Sequence, residues 1–251
     1  MKLSQKTAGN GPALVLLHGG MGSINHWHRN FDVLAKHYTV HALDLPGYGE
    51  SPTVPKDMPN EDYVALVVDA LNATVPTGAF RLAGFSFGGI ISALCAAQMG
   101  RRVEKLSLMG PGGFKRGPVL DLKNIPRASE GPAVMRDVLR HNLDVMMCAG
   151  PVTDETIDLH LANVQRTRYD GRHFSLTPGL MAKCLKQMTC SVQIIWGEAD
   201  ALCQPSMQPR ADECRAAMPG IRIDVIPGAG HWVQYDAADE TNHLLLDFLK
   251  S

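Results

Sequence analysis

Residues 82–91 read LAGFSFGGII and place Ser86 at the centre of G-x-S-x-G, Gly84 to Gly88. A serine hydroxyl is a poor nucleophile near neutral pH, so it needs a general base, and the base needs an acid to orient it. Two downstream segments offer these groups. His231 lies in GAGHW on a glycine-rich stretch, and Asp200 lies in WGEAD, with Glu198 two residues earlier competing for the same role. The five-residue pattern occurs often by chance, and its weight comes from context. Glycines at 84 and 88, with Gly89 behind, let a strand turn sharply into a helix and hold the middle residue strained with its hydroxyl exposed. The same turn sets Ser86 at a helix N-terminus, where free N–H groups favour developing negative charge.

Positioning such groups requires a sheet whose strands end on one edge. Short aliphatic and β-branched runs recur at ALVLLH (13–18), YTVHALDL (38–45), FRLAGF (80–85), KLSLMG (105–110), VQIIWG (192–197) and IRIDVI (221–226). Helical stretches alternate with them, as in a mostly parallel sheet covered on both faces. NEDYVALVVDALNATV (60–75) reads as a helix opening on an Asn cap and an acidic first turn, and GGIISALCAAQMG (88–100) as a second helix ending at Gly100. Ser86, Asp200 and His231 each follow a strand candidate, in the order that delivers three groups to one sheet edge. The alternation stops after GPGGF (110–114) and resumes at VQIIWG, and the Met-, Pro- and Arg-rich residues between carry helical patches at 132–147 and 153–169. These predict a helical lid at 113–190 inserted between two core parts, 1–112 and 191–251.

Bulk composition restricts the partners. The chain has 251 residues, 45% of them hydrophobic, with 24 basic against 25 acidic side chains and a net charge of −1. No summed field draws it to nucleic acid or an anionic membrane, which leaves a small, partly hydrophobic molecule as the expected partner; oligomeric state is not legible. No run reaches the ~18 apolar residues that span a bilayer, and MKLSQKTAGNGP lacks a signal-peptide core, so a cytoplasmic location is expected. The six cysteines show no C-x-x-C spacing and read as reduced thiols. His26, His28, His141, His160 and His173 are scattered without metal-ligand spacing, and the expected chemistry needs neither metal nor cofactor.

LLHGG (16–20), DLPGYGES (44–51), GFSFGG (84–89), WGEAD (196–200) and GAGHW (228–232) together resemble the α/β-hydrolase family, in order and over nearly the whole chain. The resemblance implies the α/β-hydrolase fold, Ser86 as nucleophile, His231 as base and Asp200, rather than Glu198, as its partner. It also implies an oxyanion hole from the backbone N–H groups of Gly20 and Phe87, with Met21 the neighbouring candidate; one such donor is typically worth roughly 3 kcal/mol in the transition state. His18 reads as a structural imidazole anchoring the loop. DLPGYGES reads mainly as turn chemistry. Trp232 either lines the pocket or packs.

KLSLMGPGGF (105–114) and GHWVQYDAADETNHLLLDFL (230–249) are further similar to the meta-cleavage-product hydrolases, which split a carbon–carbon bond in ring-opened aromatic catabolites bearing a dienoate carboxylate. That subgroup holds the carboxylate or adjacent keto oxygen with a lid arginine, which QRTRYDG (165–171) offers as Arg166 or Arg168. Phe85 and Phe87 flank the serine, and Met135, Met146, Met147 and Leu161 lie in the lid, predicting a largely apolar pocket. Phe85 and Phe87 also mark a departure, because the subgroup has asparagine before the nucleophile and methionine after it. Few residues precede ALVLLH, so the family's opening hairpin is expected truncated or missing. A carboxylesterase on small hydrophobic esters and a non-catalytic small-molecule receptor of the same fold are the competing expectations.

Overall fold

A computed structural model describes residues 1–115, 117–175 and 177–250; Arg116 and Leu176, within the expected lid, and Ser251 lie outside the described residues. Seven strands form one sheet in the order β1-β3-β2-β4-β5-β6-β7. They are β1 (Gln5–Ala8), β2 (Ala13–Leu17), β3 (Thr39–Leu43), β4 (Phe80–Phe85), β5 (Val103–Met109), β6 (Ser191–Gly197) and β7 (Arg222–Ile226). β1 runs antiparallel to β3, and all other pairings are parallel. Six strands fall where the apolar runs predict them. β1, with three of its four residues exposed, carries no apolar signature that would predict it; it is held by backbone pairing to β3.

β2 and β4 are apolar at nearly every position because both faces of the sheet are covered. The period-two alternation then sorts the core into two layers. Val15, Leu17, Leu82 and Ile194 pack on one side, and Leu14, Leu16, Ala83 and Ile195 on the other.

The helix after β3 spans Asn60–Thr74, and Asn60 is its first helical residue rather than its cap, since Pro59 occupies the cap position without a side-chain bond. Proline suits that boundary because its missing N–H is not needed where the helix starts. The next helix, Phe87–Met99, stops at Gly100, whose φ of 53° no other residue adopts cheaply. Between β5 and β6 lie the helices Pro132–Asn142, Asp154–Gln165 and Leu180–Leu185, the first continuing into a π-helical turn at Leu143–Met147. Among the described residues no helix is long and apolar enough to cross a membrane. All six cysteines are free thiols, and burial pushes Cys203 and Cys148 up to about 12.

Candidate active site

β4 ends at Phe85 and the helix Phe87–Met99 begins two residues later, so the chain reverses direction within one residue, Ser86. Its backbone sits at φ 51°, ψ −111°. Ser86 and Met21, at φ 52°, are the two non-glycine residues with positive φ among those described. Strain of this kind costs on the order of 1–3 kcal/mol and persists where the surroundings over-determine it. Here the Ser86 N–H donates to Met109 O at 2.9 Å, and Ser86 O accepts from Gly89, Ile90 and Gly112. A Cβ on Gly88 would lie 2.3 Å from His18 O, so only glycine lets the helix start this close to β2.

The three groups expected to act together meet at the carboxyl edge of the sheet. His231 Nε2 lies 3.0 Å from Ser86 Oγ, and His231 Nδ1 lies 2.9 Å from Asp200 Oδ2. Asp200 Oδ1 accepts from the Leu202 N–H at 2.9 Å. Burial alone would raise the Asp200 carboxyl, but the His231 charge and hydrogen bond, with the Leu202 N–H, bring it below its usual value. Asp200 and His231 are almost wholly buried, whereas Ser86 is half-buried and reachable. Glu198 is exposed and accepts from the Gly228 N–H instead, so it holds the loop before His231 and not the imidazole itself. This arrangement can take the Ser86 proton onto Nε2 while Asp200 fixes Nδ1–H.

β2 leads into the loop facing the serine. A Cβ on Gly19 would come within 2.8 Å of the Phe85 ring and 3.3 Å of Ser86 Cβ, which shows how closely the loop approaches. The Gly19 peptide is gripped at both ends: its carbonyl takes a 2.7 Å bond from His18 Nδ1–H, and its N–H donates to His26 Nδ1 at 3.2 Å. His18 Nε2 accepts the Leu45 N–H at 2.9 Å, so both of its nitrogens are committed and burial keeps it neutral. Gly20 follows, exposed and next to Phe87. Among the described residues the N–H groups of Gly20 and Phe87 meet no protein acceptor, as expected of a first-turn helix donor in the case of Phe87. They are free to receive an oxyanion.

The expected substrate contacts fare differently. Arg168 donates to Gly49 O at 2.9 Å and Ser51 O at 2.7 Å, and Arg166 pairs with Glu50 at 3.0 Å. Both guanidiniums thus brace the 44–51 loop. Phe85 is fully buried with its ring 5.2 Å from the His231 ring and 5.4 Å from that of His26, so it backs the triad. The Phe87 side chain turns into the core against Tyr48, Tyr63 and Phe174. Trp232 packs: it is fully buried, stacks on Tyr235 at 4.3 Å and donates its indole N–H to His26 O. Met21 is half-buried beside Gly20. Met135, Met146 and Leu161 pack partly buried against the apolar layer that holds Phe85, and Met147 is buried within it.

In the sequence His26 and His160 read only as scattered histidines, and Asn163 is not singled out at all. His26, His160 and Asn163 are buried together where the helix Asp154–Gln165 meets the Gly19 loop. The i, i+3 spacing of His160 and Asn163 on one helix face was the available signal, and their partner His26 lies 134 positions before His160 in the chain.

A family model described as the alpha/beta hydrolase family matches residues 14–244. The chain is 29% identical, over 96% of its length and 89% of the relative's, to the 2-hydroxy-6-oxononadienedioate/2-hydroxy-6-oxononatrienedioate hydrolase of Comamonas testosteroni. It is equally 29% identical, over the same shares, to the 2-hydroxy-6-oxo-6-phenylhexa-2,4-dienoate hydrolase of Burkholderia cepacia. The structure of a meta-cleavage product hydrolase from Pseudomonas fluorescens IP01 superposes with a TM-score of 0.76 at 21% identity, covering 99% of this chain and 94% of that one.

Proposed function

The chain belongs to the α/β-hydrolase family and is an enzyme of it, and from that premise we propose a serine-dependent hydrolase that cleaves a carbon–carbon bond in a ring-opened aromatic catabolite of the meta-cleavage type. The observation that carries the serine chemistry is the continuous relay from Asp200 through His231 to Ser86, at 2.9 and 3.0 Å, ending on a strained, half-buried serine. The dienoate substrate class is supported by the two relatives that match along nearly the whole chain.

In this reading His231 first helps move a proton so that the dienol becomes its keto form, giving a carbon leaving group that can depart. His231 then takes the Ser86 proton as Oγ attacks the carbonyl, and the Gly20 and Phe87 amides receive the oxyanion. Collapse breaks the carbon–carbon bond, with the proton on His231 passing to the leaving carbon. Water, deprotonated by His231, then releases the acyl group from Ser86. Asp200 keeps the imidazole in the tautomer each step needs. The helical segment 113–190 serves as lid: Trp232 N–H donates to Met147 O at 2.8 Å, and Thr156 Oγ1 meets Tyr235 OH at 2.7 Å, tying the segment to the loop that carries His231.

A carboxylesterase acting on small hydrophobic esters is the second reading, favoured by Phe85 standing where the dienoate-cleaving subgroup has a polar asparagine. Parallel kinetics separate the two. A carbon–carbon hydrolase turns over a 2-hydroxy-6-oxo-dienoate with kcat/KM at least ~10-fold above that for a 4-nitrophenyl ester, whereas the reverse ranking selects the esterase. No turnover of either would leave the receptor reading.

A further inference from the structure

The helix Asp154–Gln165 presses a polar face onto the loop that follows β2. Asn163 Oδ1 accepts from Ser23 Oγ at 2.6 Å and from Asn25 Nδ2 at 3.5 Å. One turn earlier on the same helix, the His160 ring lies parallel to that of His26, with centroids 6.4 Å apart. All three side chains are more than nine-tenths buried, at 1% exposure for His26, 7% for His160 and 1% for Asn163. Each nevertheless keeps a buried nitrogen with no hydrogen-bond partner in the protein: His26 Nε2, His160 Nδ1 and Asn163 Nδ2. An unmet buried polar atom costs about 1–3 kcal/mol, and three on side chains packed between one helix and one loop are a feature a purely structural core avoids.

Their chemistry is set by the bonds they already make. His26 Nδ1 accepts from the Gly19 N–H, so its proton sits on Nε2 and that atom is a donor. Asn163 uses its oxygen on Ser23 and Asn25, leaving its amide N–H groups. Two obligate donors and an adaptable imidazole call for an oxygen that accepts. The cluster is also close to the nucleophile, because Gly19, bonded to His26, packs on Ser86, and the Phe85 ring touches both His26 and His231. Burial holds His160 down to about 4 and His26 well below its ordinary value, so both are neutral donors near pH 7.

We propose that His26, His160 and Asn163 form the subsite for the 2-hydroxy or 2-oxo carboxylate end of the substrate, in place of an arginine clamp. The proposal rests on the carbon–carbon reading above for its substrate, but its ligand chemistry is separately testable. Loosening of the helix Asp154–Gln165 from the loop admits the oxygens, and their hydrogen bonds hold the far end of the dienoate while its scissile carbonyl lies over Ser86.

The experiment compares the parent with His160→Phe, which keeps the ring shape, and Asn163→Asp, which keeps the oxygen that Ser23 uses and removes the amide donor. Circular dichroism melts establish that each variant is folded. Titration calorimetry with 2-oxopentanoate measures the subsite without turnover, and the kcat/KM ratio of a 2-hydroxy-6-oxo-dienoate to 4-nitrophenyl acetate measures its use. We expect Kd for 2-oxopentanoate to rise ~10-fold and the ratio to fall ~10-fold in each variant. A parent that cleaves the dienoate while Kd or the ratio stays unmoved overturns the subsite and leaves the carbon–carbon reading intact. A parent that ignores the dienoate yet binds 2-oxopentanoate with a variant-sensitive Kd keeps the subsite and sinks that reading. Absence of 2-oxopentanoate binding to the parent, as expected if the cluster holds only water, overturns the subsite.

Discussion

At the scale of single residues, Asp200 does its work through geometry and charge together. Its Oδ2 fixes His231 Nδ1 at 2.9 Å, and its Oδ1 is itself fixed by Leu202 N–H, so the imidazole has one tautomer and one orientation. Asp200→Asn removes the charge and, by donating where it should accept, favours the wrong tautomer. A fall of about 10³–10⁴ in kcat with KM changed less than ~3-fold is therefore expected in steady-state kinetics. A loss confined to KM would mean that Asp200 serves binding. Ser86, Asp200 and His231 were legible in the sequence because each is announced by an apolar strand and a turn immediately around it. The subsite at His26, His160 and Asn163 was not, since its members meet only through the packing of a lid helix on a distant loop. The bracing bonds of Arg166 and Arg168 were not legible for a related reason: position along the lid says nothing of which carbonyl or carboxylate a guanidinium will find.

Among the elements, the 44–51 loop shows how the site is braced. The Asp44 carboxylate accepts from Ile24 N–H at 2.8 Å and Glu50 N–H at 2.9 Å, and Ser51 Oγ donates to Asp44 O at 2.6 Å. The Arg168 N–H donates to Gly47 O at 2.8 Å while its side chain takes the carbonyls of Gly49 and Ser51, stitching the lid to this loop. Arg168→Met deletes two part-buried hydrogen bonds, worth on the order of 1–2 kcal/mol together, and leaves the stem. Faster amide hydrogen exchange at residues 47–51 is the expected outcome. Unchanged exchange accompanied by a tenfold rise in KM for an anionic substrate would return Arg168 to the clamp role. The loop's turn residues were readable from the sequence, whereas its use as the lid's anchor depends on contacts 117 to 119 positions apart.

For the whole molecule, the buried histidines couple folding to pH. Burial lowers His18, His26 and His160 from an ordinary value of 6.5, His160 to about 4. Below about 6.5 the unfolded chain takes up protons that the folded chain refuses, so stability is full above that value and falls as pH drops toward 4. His160 alone accounts for on the order of 3 kcal/mol of this slope. Asp200 adds a lower limb, because its depressed carboxyl holds its contribution until pH falls through its folded value. Urea unfolding at pH 7.0, 5.5 and 4.5 would show progressive loss, and His160→Phe would flatten the slope. A pH-independent midpoint would mean that these imidazoles take up protons as readily in the fold as in the unfolded chain. The α/β architecture itself followed from the alternation of apolar runs and helices; only β1, which buries little, escaped it.

The central claim is that His231 activates Ser86, and covalent labelling reads it without knowledge of the substrate. Incubation with a fluorophosphonate, followed by intact-protein and peptide mass spectrometry, should give one adduct per chain, on Ser86, abolished in Ser86→Ala and slowed by at least ~10³-fold in His231→Ala. Labelling elsewhere, or labelling of Ser86 that persists at the parent rate in His231→Ala, would contradict the account.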